Sequence, residues 1–371
     1  MNIKGKVLGD YVIELPVFTS LDYDKALKMD KELFGQWGCS AISKIINGEM
    51  VVARSLDLSY SFKPAYIIRT AVKGFNKTVG VSYSPFSGPD FDKSKQEGIS
   101  EDDALRLAFF TTDILNDKGL YIEGNMRPDQ PECTGIKDCK GTNPKAKLTF
   151  SIGALIRFLA ERASSVTEAV ELAKTVNVCG LKHGDLKWGG AYYMADKSGH
   201  YGVLEVGDNK LIWNDMARCQ TNFYLNNEMK DRAIVGLGLG RYNTLLANVD
   251  KVKDEKGMEN LIDLVRYTRS YDPDTCTFDP RGELPGVDPV AFKDFGGYLS
   301  TKAAFADENK ELIMNALRES GHADLAKSID QRKKEGTAWL SAYQSVVNCN
   351  KGILRVKFFE DNNLIFNLKV E

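Results

Sequence analysis

The chain has 371 residues, 43% hydrophobic and 27% charged, an ordinary soluble-globular composition with length enough for one large domain or two smaller ones. Its 49 basic and 51 acidic residues leave a net charge of −2, so no basic excess exists to neutralise phosphates and nucleic-acid binding is not expected. No apolar run approaches the roughly 18 residues that span a bilayer, and Asp10 and Glu14 interrupt any signal-peptide core, so the chain reads as cytoplasmic with no membrane partner. A signal peptide removed beforehand would leave no trace, which keeps a secreted or periplasmic location open.

In chain order, Tyr11 to Leu15 reads as a strand and is followed by a short helix. Asp22 or Asp24 can cap that helix, and Ala26, Leu27, Met29 and Leu33 recur at helical spacing. Gly35 and Gly38 end it. Ser40 to Ile46 and Met50 to Ala53 then form a hairpin, because Asn47-Gly48 supplies the positive φ angles of a type I′ turn. A third strand spans Ala65 to Val72. Residues 76–100, rich in Gly, Ser, Pro and Asp, read as a long loop around one short strand. Asn116 to Leu120 is a turn that leads into a strand. Leu148 to Ala163 and Ser165 to Val176 show helical periodicity. Ala191 to Ala195, Tyr201 to Val206 and Lys210 to Asn214 form a meander across two Gly-containing turns. Residues 258–270 and 309–329 read as helices, and the strands Gly352 to Phe359 and Leu364 to Val370 close the chain. Strand blocks at both ends with helices between them predict an α+β layered domain rather than alternating βαβ units.

The seven cysteines (Cys39, Cys133, Cys139, Cys179, Cys219, Cys276 and Cys349) are odd in number and scattered, unlike a disulfide framework. Cys133 and Cys139 share a polar loop, but their spacing fits no zinc knuckle, and three histidines cannot supply a His-rich metal centre. Gly236-Leu237-Gly238-Leu239-Gly240 lacks the P-loop lysine, and no G-x-S-x-G or H-E-x-x-H occurs.

Cys39 stands apart because it directly follows Gly38. Cutting that one peptide bond would place a thiol and an α-amine, of ordinary pKa about 7.7–8.0, on one residue, a nucleophile beside its own base. Glycine also tolerates the backbone distortion that such a cut needs. Arg54 and Asp57, downstream of the hairpin, supply charges that could hold the new terminus. If Cys39 stays internal, that base does not exist.

The ordered series Cys39-Ser40, Arg54-Ser55-Leu56-Asp57, Asn116-Asp117-Lys118-Gly119-Leu120, Met194 to Gly199, Gln220-Thr221-Asn222 and Gly238-Leu239-Gly240-Arg241-Tyr242 resembles the choloylglycine hydrolase and penicillin V acylase family of N-terminal nucleophile hydrolases. The resemblance implies a four-layer αββα sandwich and hydrolysis of a linear amide through a thioester, with no cofactor and no metal. It implies Cys39 as nucleophile, Asp57 bonded to the α-ammonium, and Arg54 biasing the thiol towards thiolate. Asn222 would donate to the oxyanion, aided by a backbone N–H near Asn125 or Met126, and Arg241 would complete the charged site. Residues 1–38 then form a leader cut off at Gly38-Cys39, and 39–371 the catalytic domain. Phe62, Tyr66, Tyr83, Phe86 and Tyr121 are expected in loops around an apolar or aromatic acyl pocket, for conjugated bile salts, phenoxyacetyl penicillins or N-acyl amines. The resemblance also implies a homo-oligomer, dimer or tetramer. A non-catalytic small-molecule binder on the same scaffold, and a cysteine acyltransferase or peptidase, remain open alternatives.

Overall fold

The computed structural model describes residues 6–7, 12–14, 37–59, 65–83, 101–109, 111–128, 140–183, 186–207, 209–226, 238–266, 291–292, 298–300, 339–358 and 365–370. The expected helices near residues 22–33 and 309–329 lie outside them, as do Cys133 and Cys139.

The hairpin at Asn47-Gly48 organises the smaller of two large sheets. Asn47 and Gly48 have φ of 52° and 82°, the left-handed pair of a type I′ turn. It joins Trp37–Ile46 to Glu49–Ser59, both longer than the sequence reading gave them. The register sets Cys39 opposite Leu56 and Ala41 opposite Arg54. Cys219–Gln220 borders the first of these strands, while Trp339–Asn348, Ile353–Phe358 and Ile365–Lys369 extend the sheet beyond the second, making six strands.

The larger sheet has ten strands, centred on Thr111–Asn116, Leu120–Pro128 and Leu186–Asp196. Tyr201–Gly207 and Lys210–Asp215 complete the expected meander on one side. On the other side Thr78–Tyr83 and Ala65–Thr70 follow, and Val12–Glu14 pairs in parallel with Ala65–Thr70. The sheets touch where Trp37–Ile46 meets Leu120–Pro128 and where Glu49–Ser59 meets Leu186–Asp196. Helices Leu155–Arg162 and Val166–Lys174 pack on the larger sheet, and helices Leu239–Val249 and Glu255–Asp263 on the smaller. The chain is α+β, rich in sheet and with few helices among the described residues.

Several elements differ from the sequence reading. Leu148 to Ala163 is a strand, Thr149–Ser151, followed by the helix Leu155–Arg162. Thr149 and Phe150 favour extended backbone, and they pair in parallel with Asn177–Cys179, a strand the periodicity did not show. The helix Glu101–Phe109 and the strands Thr111–Asn116 and Trp339–Asn348 were also not read from the sequence. The helix expected from residue 258 starts earlier, at Glu255, where the Asp254 side chain accepts the Gly257 N–H at 2.7 Å. The helix expected from Ser165 has its cap there, with Ser165 Oγ accepting the Glu168 N–H at 3.2 Å. The Glu168 carboxylate in turn accepts the Ser164 N–H at 2.7 Å.

Candidate active site

Cys39 is fully buried, and three side chains hold it at three different atoms. Its backbone N–H donates to Asn222 Oδ1 at 2.9 Å. Its carbonyl accepts from Arg241 Nη1 at 2.7 Å. Its sulfur lies 3.8 Å from Arg54 Nη2. Arg241 spans the group, donating also to Ser40 Oγ at 2.8 Å and, through Nη2, to Asn222 Oδ1 at 2.8 Å.

Strand alternation explains why Arg54 and Asp57 approach from opposite sides. Residues three apart on a strand point to opposite faces. Arg54 enters the space between the sheets beside the sulfur. Asp57 faces the helix side, where its carboxylate lies 3.6 Å from Arg241 Nη1 and accepts from Ser55 Oγ at 3.2 Å and from Ser341 Oγ. Asn222 accepts the Cys39 N–H, and Arg241 links Asn222 to Asp57.

Two local devices bring these groups in. Gly238 caps the helix Leu239–Val249 with φ of 83°, and a Cβ there would stand 2.6 Å from Thr221 Oγ1 and 2.9 Å from the Asn222 nitrogen. Only glycine lets Arg241 reach the Thr221-Asn222 segment so closely; Thr221 Oγ1 seals the approach by donating to the Gly238 carbonyl at 2.9 Å. The second device is a register shift between Ser341 and Tyr343, which leaves Ala342 as the extra residue. Ser341 therefore aligns with Asp57 and Tyr343 with Leu56, so these two residues, although two apart, serve opposite faces of the sheet.

The strand Leu120–Pro128 contributes two residues that the sequence reading missed, Glu123 and Arg127. Tyr121, Glu123, Asn125 and Arg127 share its inward face. Glu123 Oε2 accepts from Arg54 Nε at 2.9 Å, and Glu123 Oε1 accepts from Gln220 Nε2. Arg127 Nη2 donates to Gln220 Oε1 at 3.1 Å, and its Nε lies 3.8 Å from Glu205. On the other side of Arg54, Nη1 donates to the Tyr343 hydroxyl, which donates to Asp113 Oδ1 at 2.9 Å. Polar residues at every second position of a strand were the signal available in the sequence.

Other candidates are placed differently from expectation. Asn125 spends its amide nitrogen on the Thr221 carbonyl at 3.2 Å, and its buried Oδ1 has no hydrogen-bond partner. It braces the segment before Asn222. Met126 stands in the ladder opposite Gly190. Tyr66, Tyr83 and Tyr121 are on strands rather than loops, and Tyr66 and Tyr121 are buried; the Tyr121 hydroxyl donates to Asp113 at 3.2 Å, within the cluster behind Arg54. Phe62 and Phe86 lie outside the described residues.

Burial dominates the electrostatics. It pushes the Cys39 thiol up to about 12, with Glu123 and Asp57 adding to the rise and Arg54 and Arg241 opposing it. Burial also raises Glu123, against the pull of Arg54 and the Gln220 hydrogen bond. For Arg54 burial works towards deprotonation, yet Tyr343, Asp113 and Glu123 hold it well above its ordinary value. Among the described residues no group of three His, Cys, Asp or Glu side chains is placed to hold a metal ion.

No protein-family model matches the chain, and no curated protein matches it. Solved structures are similar to it at low identity. An Arg-to-Leu variant of conjugated bile acid hydrolase from Clostridium perfringens is 15% identical, over 89% of this chain and 92% of that one, with a TM-score of 0.47. A Cys-to-Ala variant of the same hydrolase is 16% identical over the same shares, with a TM-score of 0.45. Penicillin V acylase from Agrobacterium tumefaciens is 13% identical, over 89% of this chain and 86% of that one, with a TM-score of 0.44. The functional reading rests on the geometry around Cys39.

Proposed function

We propose that this protein hydrolyses linear amide bonds of small N-acyl substrates, with Cys39 as an N-terminal nucleophile after self-cleavage at Gly38-Cys39. The observation that carries the reading is the separate grip on the nitrogen, carbonyl and sulfur of a single buried cysteine by Asn222, Arg241 and Arg54. A cysteine that served only packing would need none of them. The two sheets between helix pairs support the αββα arrangement that the resemblance implies, with residues 39–371 as the catalytic domain.

Cleavage begins when the Cys39 sulfur attacks the Gly38 carbonyl carbon. The Gly38–Cys39 C–N bond breaks, the nitrogen takes the thiol proton, and a thioester joins the two residues. Water then attacks the thioester, releasing the Gly38 carboxylate and a Cys39 that carries both a free thiol and a free amine. Val12–Glu14 pairs with Ala65–Thr70, so the light piece is expected to stay attached by its strand.

In turnover the α-amine accepts the thiol proton as sulfur attacks the substrate carbonyl. Asn222 Nδ2 donates to the developing oxyanion. Collapse breaks the C–N bond, and the leaving amine takes the proton from the α-ammonium. Water, deprotonated by the same amine, attacks the thioester, frees the carboxylic acid and restores the thiol. Arg54 stabilises the thiolate, and Arg241 with Asp57 fixes the terminus between Asn222 and the helix.

Intact-protein mass together with a panel of bile-salt, penicillin V and N-acyl amine substrates tests the reading. Wild type should yield a heavy species beginning at Cys39 and hydrolyse at least one substrate class. Cys39→Ala should remain full-length and lose turnover on the order of 10⁴-fold or more. Full turnover by a chain still acylated at the Cys39 nitrogen would overturn it.

A further inference from the structure

Arg54 approaches the sulfur with one nitrogen, Nη2, and everything else about its guanidinium is fixed by other groups. Nε is held by Glu123 at 2.9 Å, Nη1 by Tyr343 with Asp113 at 3.9 Å, and Nη2 itself donates to the Gly124 carbonyl at 3.2 Å. A guanidinium is a planar fork, so fixing Nε and Nη1 fixes the direction of Nη2. Glu123 is in turn fixed from behind: Gln220 donates to its second oxygen, Arg127 donates to Gln220, and Glu205 faces Arg127. These groups are fully buried and come from strands of both sheets.

Glu123 also carries a charge close to the sulfur. The charged groups around the thiol are Arg54 and Asp57 from Glu49–Ser59, Arg241 from the helix Leu239–Val249, and Glu123 from Leu120–Pro128. Asp113, Tyr121 and Tyr343 stand behind Arg54, and Arg127 and Glu205 behind Gln220. Without Glu123, Arg54 would keep Asp113, 3.9 Å from Nη1, as its carboxylate partner and would face the sulfur with its positive charge less compensated.

Resting on the reading of Cys39 as nucleophile, we propose that Glu123 is a positioning residue for the reaction: its carboxylate clamps Arg54 Nε so that Nη2 is aimed at Cys39 Sγ, and its charge moderates the field that Arg54 exerts on the sulfur. The two roles separate by substitution. Glu123→Gln keeps an oxygen for Nε and removes the charge. Glu123→Asp keeps the charge and withdraws the oxygen by one methylene.

The readout is the rate at which a small methanethiosulfonate modifies Cys39, followed by peptide mass at a pH where the wild-type thiol is protonated. It is measured beside turnover on the substrate panel and with folding checked by circular dichroism. Removing a negative charge favours the thiolate, so Glu123→Gln should be modified faster. A one-unit fall in thiol pKa gives about tenfold more thiolate, and the accompanying loss of nucleophilicity reduces the gain to about threefold. Glu123→Asp should be modified at the wild-type rate but should lose about tenfold or more in kcat with little change in KM, the mark of misplaced rather than missing chemistry. A folded Glu123→Gln modified no faster than wild type would overturn the proposal. Should Glu123→Gln fail to fold, wild-type kcat in Glu123→Asp would overturn it alone. Cys39 modification does not require hydrolysis: the expected rate change in a protein that turns over no N-acyl amide would sink the hydrolase reading and leave the clamp intact.

Discussion

The two faces of the six-stranded sheet are made by alternate residues of the same strands, and both bury apolar clusters, but only the face towards the larger sheet also buries a dense group of charges around Arg54. Towards the helices Leu239–Val249 and Glu255–Asp263, Ile42, Ile46, Val51, Ala53 and Val346 meet Leu245, Val249, Met258, Leu261 and Ile262 in an apolar cluster. Towards the larger sheet the same strands present Cys39, Arg54, Tyr343 and Ser345, which meet Asp113 and Glu123, with Arg127 and Glu205 close behind. Burying that many charges costs more in desolvation than ion pairing reliably returns, and a well-packed apolar layer would serve stability at least as well. Met50, Val52, Leu56 and Val347 hold the inter-sheet face as Ile42 and Val51 hold the helix face, and the charged group is an addition to that core beside one sulfur. The exception on the helix side is at the Cys39 end, where Asp57 and Arg241 interrupt the apolar layer to reach the residue's backbone.

That contrast predicts separable losses. The largest is at Asn222: Asn222→Ala should lower turnover about 10²–10³-fold, the usual cost of one oxyanion donor, while the folded fraction stays high at assay temperature. Steady-state kinetics beside a thermal melt reads both, and intact turnover in a destabilised Asn222→Ala would make the polar face structural. Next, Ile262→Ala on the apolar face should cost about 2–4 kcal/mol in a urea unfolding curve and leave the turnover of the folded molecules unchanged. A large kcat loss there would show that the two faces are coupled. The smallest effect is at Lys44, whose ammonium donates to the carbonyls of Val249, Asp250 and Val252 at 3.1, 2.9 and 2.7 Å at the end of the helix that carries Arg241. Lys44→Met should cost about 1 kcal/mol of stability by losing this cap, without moving kcat.

Much of the local structure was legible because it depends on neighbours in sequence. Asn47-Gly48 dictates its turn, Ser165 and Glu168 dictate a helix start, and the Cys39, Arg54 and Asp57 residues fall on one hairpin. Asn222 and Arg241 were legible only through the ordered motif series. The strand Trp339–Asn348 was not legible: it pairs on one side with the neighbouring Ile353–Phe358, but on the other it is the long partner of a hairpin that lies far earlier in the chain. Without that strand neither the shift at Ala342 nor the Tyr343 contact to Arg54 could be foreseen.

By itself the sequence determined which residue types could do chemistry and which strand positions share a face, since both follow from side-chain structure and the two-residue period of a strand. The tertiary structure alone decided which buried charges meet. The partners of Arg54, Glu123 and Tyr343, lie 69 and 289 residues away along the chain; strand pairing within the smaller sheet brings Tyr343, and packing of the larger sheet upon it brings Glu123, within hydrogen-bond reach of one guanidinium.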